Sequence, residues 1–223
     1  MVTRMKYPIL LFDADNTIFD FDRAEIHAIT SSLRQYGLPC SEAIVSRYHD
    51  INQGLWREHE KGLVTKDQLK VRRFEQLFAE LGVDGDPVAF HHTYIGFLGE
   101  GTFLLPHAAE ACRTLAADRR LYIITNGLKA SQTARFARSE IMPLFEDAFI
   151  SECIGCQKPE KAFFDYVAAH IPGFRPADAL VIGDSLTSDM AGGHTAGLDT
   201  CWFNPRRLPN DSGIPCTLSL IHI

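Results

Sequence analysis

The sequence predicts an α/β fold: a three-layer α/β/α sandwich on a parallel sheet, with an all-helical segment inserted after the first strand. Two observations lead to this prediction. Short apolar runs alternate with helical patterns through the second half of the chain, and residues 19–99 carry helical patterns without a convincing strand.

Five short apolar runs have the length and composition of buried strands: residues 9–12, 121–125, 148–150, 179–183 and 200–203. Helical patterns lie between the later runs, at residues 106–118, 130–139, 160–170 and 187–196. This alternation predicts a Rossmann-like parallel sheet covered by helices on both faces, with right-handed crossovers. The tail, residues 209–223, is apolar at its end and could pack on this core.

The inserted segment is predicted to form a helical cap. Its first two helices are expected at residues 23–36 and 42–61. Thr65 and Gln68 form a capping box for a third helix, which ends at Gly82 and whose apolar residues follow helical spacing: Phe74, Leu77, Phe78 and Leu81. We therefore expect a cap domain at residues 19–99 and a core domain at residues 1–18 and 100–223, with hinges near Asp20 and at residues 99–101.

Composition and charge argue against several classes of protein. The chain has 223 residues, 46% of them hydrophobic, and a formal net charge of −6, which gives no electrostatic footprint for a nucleic acid polymer. No apolar stretch has the roughly 20 residues of a transmembrane helix, and no signal peptide is expected. Six scattered cysteines, of which Cys153 and Cys156 form a CxxC pair without a second ligand pair, fit a reduced cytoplasmic setting. The sequence is compatible with two oligomeric states, a monomer and a weak homodimer.

Two aspartates one residue apart, Asp13 and Asp15, follow the first apolar run. Residues i and i+2 of an extended chain point to the same side, so both carboxylates can face one site at the strand end. Adjacent anions repel each other unless a positive group offsets them. The pair therefore indicates metal-assisted chemistry, although an Asp-x-Asp motif in isolation is more often a solvated loop or a helix cap.

Polar residues also follow later apolar runs. Thr125 and Asn126 lie at the end of the second, and Asp184 follows the fourth, with Asp189 five residues later. Lys158 lies in a loop and could neutralise a phosphate group, because an ammonium is a compact positive charge. Ligands of open α/β sheets bind beyond the carboxyl ends of the strands. We therefore expect these side chains to converge on one edge of the sheet.

Taken together, the motifs resemble those of the haloacid dehalogenase superfamily of phosphohydrolases. The four segments occur in that family's order between about residues 9 and 205: residues 13–17 (DADNT), 125–127 (TNG), 158–159 (KP) and 183–189 (GDSLTSD). Asn16 stands where the family usually has glycine. With residues 52–56 (NQGLW) and 60–62 (EKG), this departure is similar to the cytosolic pyrimidine 5′-nucleotidases.

The resemblance implies catalytic and phosphate-binding roles. Asp13 would be the nucleophile that forms an aspartyl-phosphate. Asp15 would protonate the leaving oxygen and then deprotonate the hydrolytic water. Thr125, the Asn126 amide and Lys158 would hold the phosphoryl oxygens.

It also implies a magnesium site. Mg²⁺ prefers oxygen ligands, and the resemblance assigns it Asp13, the backbone carbonyl of Asp15, and Asp184. Asp189 would support these ligands from behind and pair with Lys158.

The implied activity is Mg²⁺-dependent hydrolysis of a small phosphate monoester, with a pyrimidine nucleoside 5′-monophosphate as the expected substrate. The same chemistry could act on phosphoglycolate or a sugar phosphate. Carbon–halogen hydrolysis uses the same aspartate nucleophile but needs neither an acid at position 15 nor a metal. A non-catalytic binding module on the same fold is a further alternative, against which the complete set of polar residues argues.

A few cap residues are candidates for substrate contact. Trp56 and Phe21 could stack on a nucleobase, although aromatic residues of a helical segment more often lie in its core. Asn52 and Gln53 could hydrogen-bond a base edge, although exposed amides usually contact water. The histidines at 91–92 have no carboxylate or cysteine at ligand spacing and indicate a helix face rather than a metal site.

Overall fold

The computed structural model describes residues 6–220, which form an α/β fold. Its strands and helices are, in chain order, β1 (Ile9–Phe12), α1 (Phe21–Gln35), α2 (Glu42–Glu60), α3 (Lys66–Leu81), α4 (Pro87–Glu100), α5 (Ala108–Ala116), β2 (Arg120–Thr125), α6 (Lys129–Arg138), β3 (Phe145–Ile150), α7 (Ser151–Ile154), α8 (Lys161–His170), β4 (Ala179–Gly183), α9 (Ala191–Thr195), β5 (Asp199–Phe203) and β6 (Leu218–Leu220).

A six-stranded sheet forms the centre of residues 6–220, with strand order β3-β2-β1-β4-β5-β6 and parallel neighbours throughout. β1 lies between β2 and β4, so that Leu10 pairs with Leu121 on one side and with Leu180 on the other. Alternate residues of β1 belong to different cores, Leu10 to one and Leu11 to the other. Both faces of the sheet are therefore buried.

Helices supply the outer layers. α5 and α6 add Cys112 and Phe136 to the core on one face, and α8 adds Phe163 and Phe164 to the core on the other. The predicted three-layer α/β/α sandwich with a parallel Rossmann-like sheet is confirmed.

Four helices, α1 to α4, lie between β1 and α5 and bury a hydrophobic cluster of their own. Both hydrogen bonds of the predicted capping box at Thr65 and Gln68 are present, and Gly82 ends α3 in the left-handed conformation at φ 64°. Helix α4 also packs closely against α6. The two helices approach so closely at Gly99 that a Cβ added there would lie 2.7 Å from the Cβ of Ala134. The division into a cap at residues 19–99 and a core stays a prediction.

Several elements differ from the sequence-based expectation. The sequence patterns do not single out α4 and α7, and the tail adds β6, whose Leu218 pairs with Cys201. A π-helical turn at Leu186–Met190 replaces the first part of the helix expected at 187–196, because the N–H groups of residues 189 and 190 both donate to the carbonyl of Ser185 at 3.1 Å. Ile221 and Ile223 of the apolar tail lie outside the described residues.

No helix within residues 6–220 combines the length and the apolar character needed to cross a membrane.

Candidate active site

The first site residues lie in the turn after β1. The N–H of Asp13 donates to the carbonyl of Ile182 at 2.8 Å and so continues the sheet. Asn16 adopts a left-handed backbone at φ 59°, a conformation that asparagine tolerates better than most residues. Its side chain accepts from the N–H of Phe21 at 3.1 Å and donates to Asp22 at 3.2 Å. Asn16 therefore forms the turn at the position where the family motif usually has glycine, and its side chain connects this turn to the start of α1.

Lys158 lies at the centre of the site and is 1% exposed. Its Nζ donates to Asp13 Oδ1 at 2.6 Å, to Asp189 Oδ1 at 2.7 Å and to the carbonyl of Ile124 at 2.9 Å. The Asn126 side chain holds the backbone of Lys158 in place, since it accepts from the Lys158 N–H at 3.0 Å and donates to the Lys158 carbonyl at 2.8 Å. The expected pairing of Asp189 with Lys158 is present.

The cluster contains three carboxylates, those of Asp13, Asp184 and Asp189, but only one ammonium, that of Lys158, within the described residues. Burial raises the pKa of Asp13 to about 7, although the neighbouring Lys158 acts to lower it. The pKa of Asp184 is raised well above its usual value by burial and by the charges of Asp13 and Asp189. The two carboxylates raise the pKa of Lys158 despite its burial, so this ammonium stays charged. The cluster is thus short of positive charge.

The same cluster fits a divalent cation. One carboxylate oxygen each of Asp13, Asp184 and Asp189 lie within 4.8 Å of one another. Asp189 is already engaged, because its Oδ1 binds Lys158 and its Oδ2 accepts from the N–H of Ser185 at 3.1 Å. Nothing within residues 6–220 donates a hydrogen bond to the partly exposed carboxylate of Asp184. Hard oxygen donors of this kind suit Mg²⁺, with Asp13 and Asp184 as the ligands that have oxygens to spare.

The Asp15 carboxylate lines the same cavity and is held by two side chains of α6. Its Oδ2 accepts from Gln132 Nε2 at 2.6 Å, and its Oδ1 forms an ion pair with the guanidinium of Arg135. Gln132 and Arg135 lie outside the four sequence motifs and were not predicted as site residues. The sequence does contain a pattern that could have indicated them: two polar residues three positions apart share one face of the predicted helix that follows the Thr125 motif.

Thr125 ends β2 beside these residues. Its Oγ1 accepts from the N–H of Gly127 at 3.0 Å and lies 3.3 Å from Gln132 Nε2. A Cβ at Gly127 would stand 2.2 Å from that same Nε2, and one at Gly183 would stand 2.2 Å from Asp189 Oδ2. Both positions therefore need glycine because a site residue packs directly on the backbone.

A cavity of ≈270 Å³ extends from these residues to the inserted helices. Its wall on that side consists of Phe21, Gln53, Trp56, His59, Glu60, Arg73 and Leu98. The cavity thus has a charged end at the sheet and a mixed end at helices α1–α4, where Phe21 and Trp56 lie beside the charged Glu60 and Arg73.

Of the cap residues expected near the substrate, Phe21, Gln53 and Trp56 line the cavity, whereas Asn52 does not. Asn52 is fully buried, donates to Glu25 at 2.6 Å and accepts from Arg73 at 3.1 Å. Its amide is therefore used to hold the cavity-lining Arg73 rather than being open to a ligand.

Hydrogen bonds join the cap helices to the loops of the site. Lys66 at the start of α3 donates to the carbonyl of Asn126 at 2.9 Å and to Ser151 at 2.7 Å. Lys70 forms an ion pair with Glu152 at 2.7 Å. Burial lowers the pKa of Lys66 to about 8. These contacts hold the first turns of α3 against the segment that carries Thr125 and Asn126.

The remaining candidates take no part in the site. His91 faces the interior of the cap and lies 3.1 Å from Arg73, in agreement with the expected helix face. Cys153 and Cys156 are free thiols in the described chain.

Comparison with known proteins agrees with this geometry. The family model of haloacid dehalogenase-like hydrolases matches residues 7–197. The HAD-hydrolase YfnB of Bacillus subtilis is 42% identical over 92% of this chain and 87% of its own length. Its crystal structure bound to magnesium covers 97% of this chain and 95% of its own, with a TM-score of 0.92 and 41% identity.

Two further relatives are named pyrimidine 5′-nucleotidases. PynA of Streptococcus pneumoniae is 39% identical over 92% of this chain and 87% of its own length. YjjG of Escherichia coli is 31% identical over 98% of this chain and 96% of its own length. The match of the family model, the extent of these similarities and the gathering of all four motifs at one sheet edge lead to the same conclusion: the chain belongs to the haloacid dehalogenase-like hydrolases.

Proposed function

We propose that the protein hydrolyses pyrimidine nucleoside 5′-monophosphates in a Mg²⁺-dependent reaction. The observation that carries this proposal is the cluster of Asp13, Lys158, Asp184 and Asp189 at one end of a cavity whose other end includes two aromatic side chains, Phe21 and Trp56. The names of PynA and YjjG support the same substrate class.

The reaction has two steps. Asp13 attacks phosphorus, the bond from phosphorus to the ester oxygen breaks, and Asp15 gives its proton to that oxygen. A water molecule then loses its proton to Asp15 and attacks the aspartyl-phosphate, which releases phosphate and restores Asp13. Lys158, the hydroxyl of Thr125 and the N–H of Asn126 hold the phosphoryl oxygens during both steps.

Mg²⁺ would be held by the carboxylates of Asp13 and Asp184 and by the backbone carbonyl of Asp15. It would supply positive charge to the phosphoryl oxygens and to the crowded carboxylates. Asp189 and Lys158 keep Asp13 in place beside it.

The cavity favours a small, partly aromatic substrate. Its volume of ≈270 Å³ lies just below the about 300–1,000 Å³ typical of ligand pockets, which suits a small substrate such as a mononucleotide. Trp56 and Phe21 offer aromatic surface to a base, and Gln53 offers both a donor and an acceptor. A phosphoglycolate or a sugar phosphate would leave these aromatic side chains without a partner.

Dehalogenation is a weaker candidate. It would have no use for a carboxylate at position 15 or for the acidic cluster around Asp184, both of which this chain has.

The test is phosphate release from uridine 5′-monophosphate by the purified full-length protein with Mg²⁺, with EDTA, and in the variant Asp13→Asn. We expect turnover with Mg²⁺ alone and none above background with EDTA or in Asp13→Asn. The matched control is Asp118→Asn, an exposed residue paired with Arg119, which should behave as wild type. Turnover in EDTA, or in Asp13→Asn, would contradict the proposal.

A further inference from the structure

Arg135 and Gln132 lie three residues apart on α6, and both are almost completely buried, at 0% and 1% exposure. Both side chains are directed at the same carboxylate. Arg135 pairs with Asp15 Oδ1, and Gln132 donates to Asp15 Oδ2 at 2.6 Å. Each oxygen of Asp15 therefore has its own donor, which fixes the plane and direction of the carboxylate.

Arg135 has no other acidic partner, since within residues 6–220 no carboxylate besides Asp15 lies within 4 Å of its guanidinium. Burying an arginine costs free energy that a single ion pair often does not recover. The guanidinium also lies over the ring of Phe19, 5.1 Å from its centroid, and the N–H of Phe19 donates to Ala14 at 2.9 Å. Arg135 thus contacts both ends of the turn that presents Asp15.

Gln132 links Asp15 to the phosphate-binding end of the site. Its Nε2 lies 3.3 Å from the hydroxyl of Thr125, while its Oε1 is buried and has no hydrogen-bond partner in the described part of the chain. An amide carries a donor and an acceptor at one end. The donor of Gln132 thus joins the Asp15 carboxylate to the hydroxyl of Thr125.

We propose that Arg135 and Gln132 are positioning residues that hold the Asp15 carboxyl group in line with the ester oxygen through both proton transfers. This inference rests on the proposed function. Arg135 and Gln132 each hold one oxygen of the carboxylate, and together they fix its direction. Neither residue exchanges a proton with the substrate.

The test separates positioning of the acid from general damage to the site. Cleavage of uridine 5′-monophosphate needs a proton on the leaving oxygen, whereas p-nitrophenyl phosphate releases a stable anion. In single-turnover experiments with Mg²⁺, we expect Arg135→Met to slow the first reaction at least about tenfold more than the second, because general acid catalysis is worth roughly 10²–10⁴-fold. Gln132→Met should change the same ratio in the same direction, and Arg135→Lys should recover part of the loss.

The matched control is Arg138→Met. Arg138 lies one turn further along α6, is exposed and donates to the carbonyl of Ala134 at 3.1 Å, so its removal should leave the ratio at the wild-type value. Equal slowing of both substrates in Arg135→Met, or no slowing, would overturn the inference. Should Arg135→Met fail to fold, Gln132→Met and Arg135→Lys are held to the same criterion. Failure of the wild-type protein to cleave either substrate would instead overturn the proposed function.

Discussion

At the scale of single residues, the site depends on one ammonium placed between carboxylates. Lys158 contacts Asp13 and Asp189, and Asp184 lies in the same cluster. A buried group of this kind is stable only when every charge has a partner. One lysine does not balance three acids, and this is the physical reason to expect a divalent cation beside Asp13 and Asp184.

Trp56 is the residue that should decide between a nucleotide and a sugar phosphate. Stacking of a base on an aromatic side chain contributes about 1–3 kcal/mol. Trp56→Ala should therefore lower kcat/KM for uridine 5′-monophosphate about tenfold or more, and that for ribose 5-phosphate, which has no base, much less. Steady-state kinetics on both substrates measures this.

The control for Trp56 is Tyr166→Ala, which removes an exposed aromatic residue that stacks on His170 outside the cavity. It should leave the ratio of the two substrates unchanged. An equal loss for both substrates in Trp56→Ala would mean that Trp56 shapes the cap without contacting a base.

At the scale of helices and strands, the sequence predicted elements with a local signal and missed those that depend on distant contacts. The capping box at Thr65 and the apolar run of β1 are local, and both elements are present. Helix α4 buries one face, on which Phe90, Tyr94 and Leu98 lie. Because apolar Val88 is exposed and apolar Phe97 is only half-buried, the sequence shows no clear apolar stripe. β6 is short and exists only because β5 offers an unpaired edge at Cys201.

The packing of α3 on α4 contains a histidine that should make the protein sensitive to acid. Burial and the neighbouring Arg73 lower the pKa of His91 from its ordinary 6.5 to about 3. A histidine with a lowered pKa in the folded state contributes stability above pH 6.5, and this contribution is lost as the pH falls towards 3. Between pH 7.5 and pH 5 the full shift would correspond to a loss of about 2 kcal/mol. Because the site is not fully enclosed, solvent screening reduces the expected loss to about 1 kcal/mol.

Thermal unfolding of wild type and His91→Asn at these two pH values measures the effect. Asparagine keeps an acceptor for Arg73 but does not titrate, so the variant should lose less stability on acidification than wild type does. His92→Asn changes the exposed neighbour and should keep the wild-type dependence. Identical pH dependence in wild type and His91→Asn would contradict the assignment.

At the scale of the whole molecule, the sequence was sufficient to predict that the four motifs meet. Parallel strands bring their carboxyl ends to one edge, so Asp13, Thr125 and Asp184 had to be neighbours once the strands were recognised. It was not sufficient to predict how helices α1–α4 line the cavity. Asn52 is buried against Glu25, and Lys66 contacts the carbonyl of Asn126. Both contacts join residues that are distant in the sequence, so no local sequence pattern predicts them.

The central claim is that Asp13 accepts the phosphoryl group. Rapid acid quenching of the Mg²⁺-loaded protein during turnover of phosphorus-labelled uridine 5′-monophosphate, followed by peptide mass spectrometry, tests it most directly. The account predicts a hydroxylamine-sensitive label on Asp13 that is absent when EDTA is present. Release of labelled phosphate without any labelled protein, or a label on another residue, would contradict it.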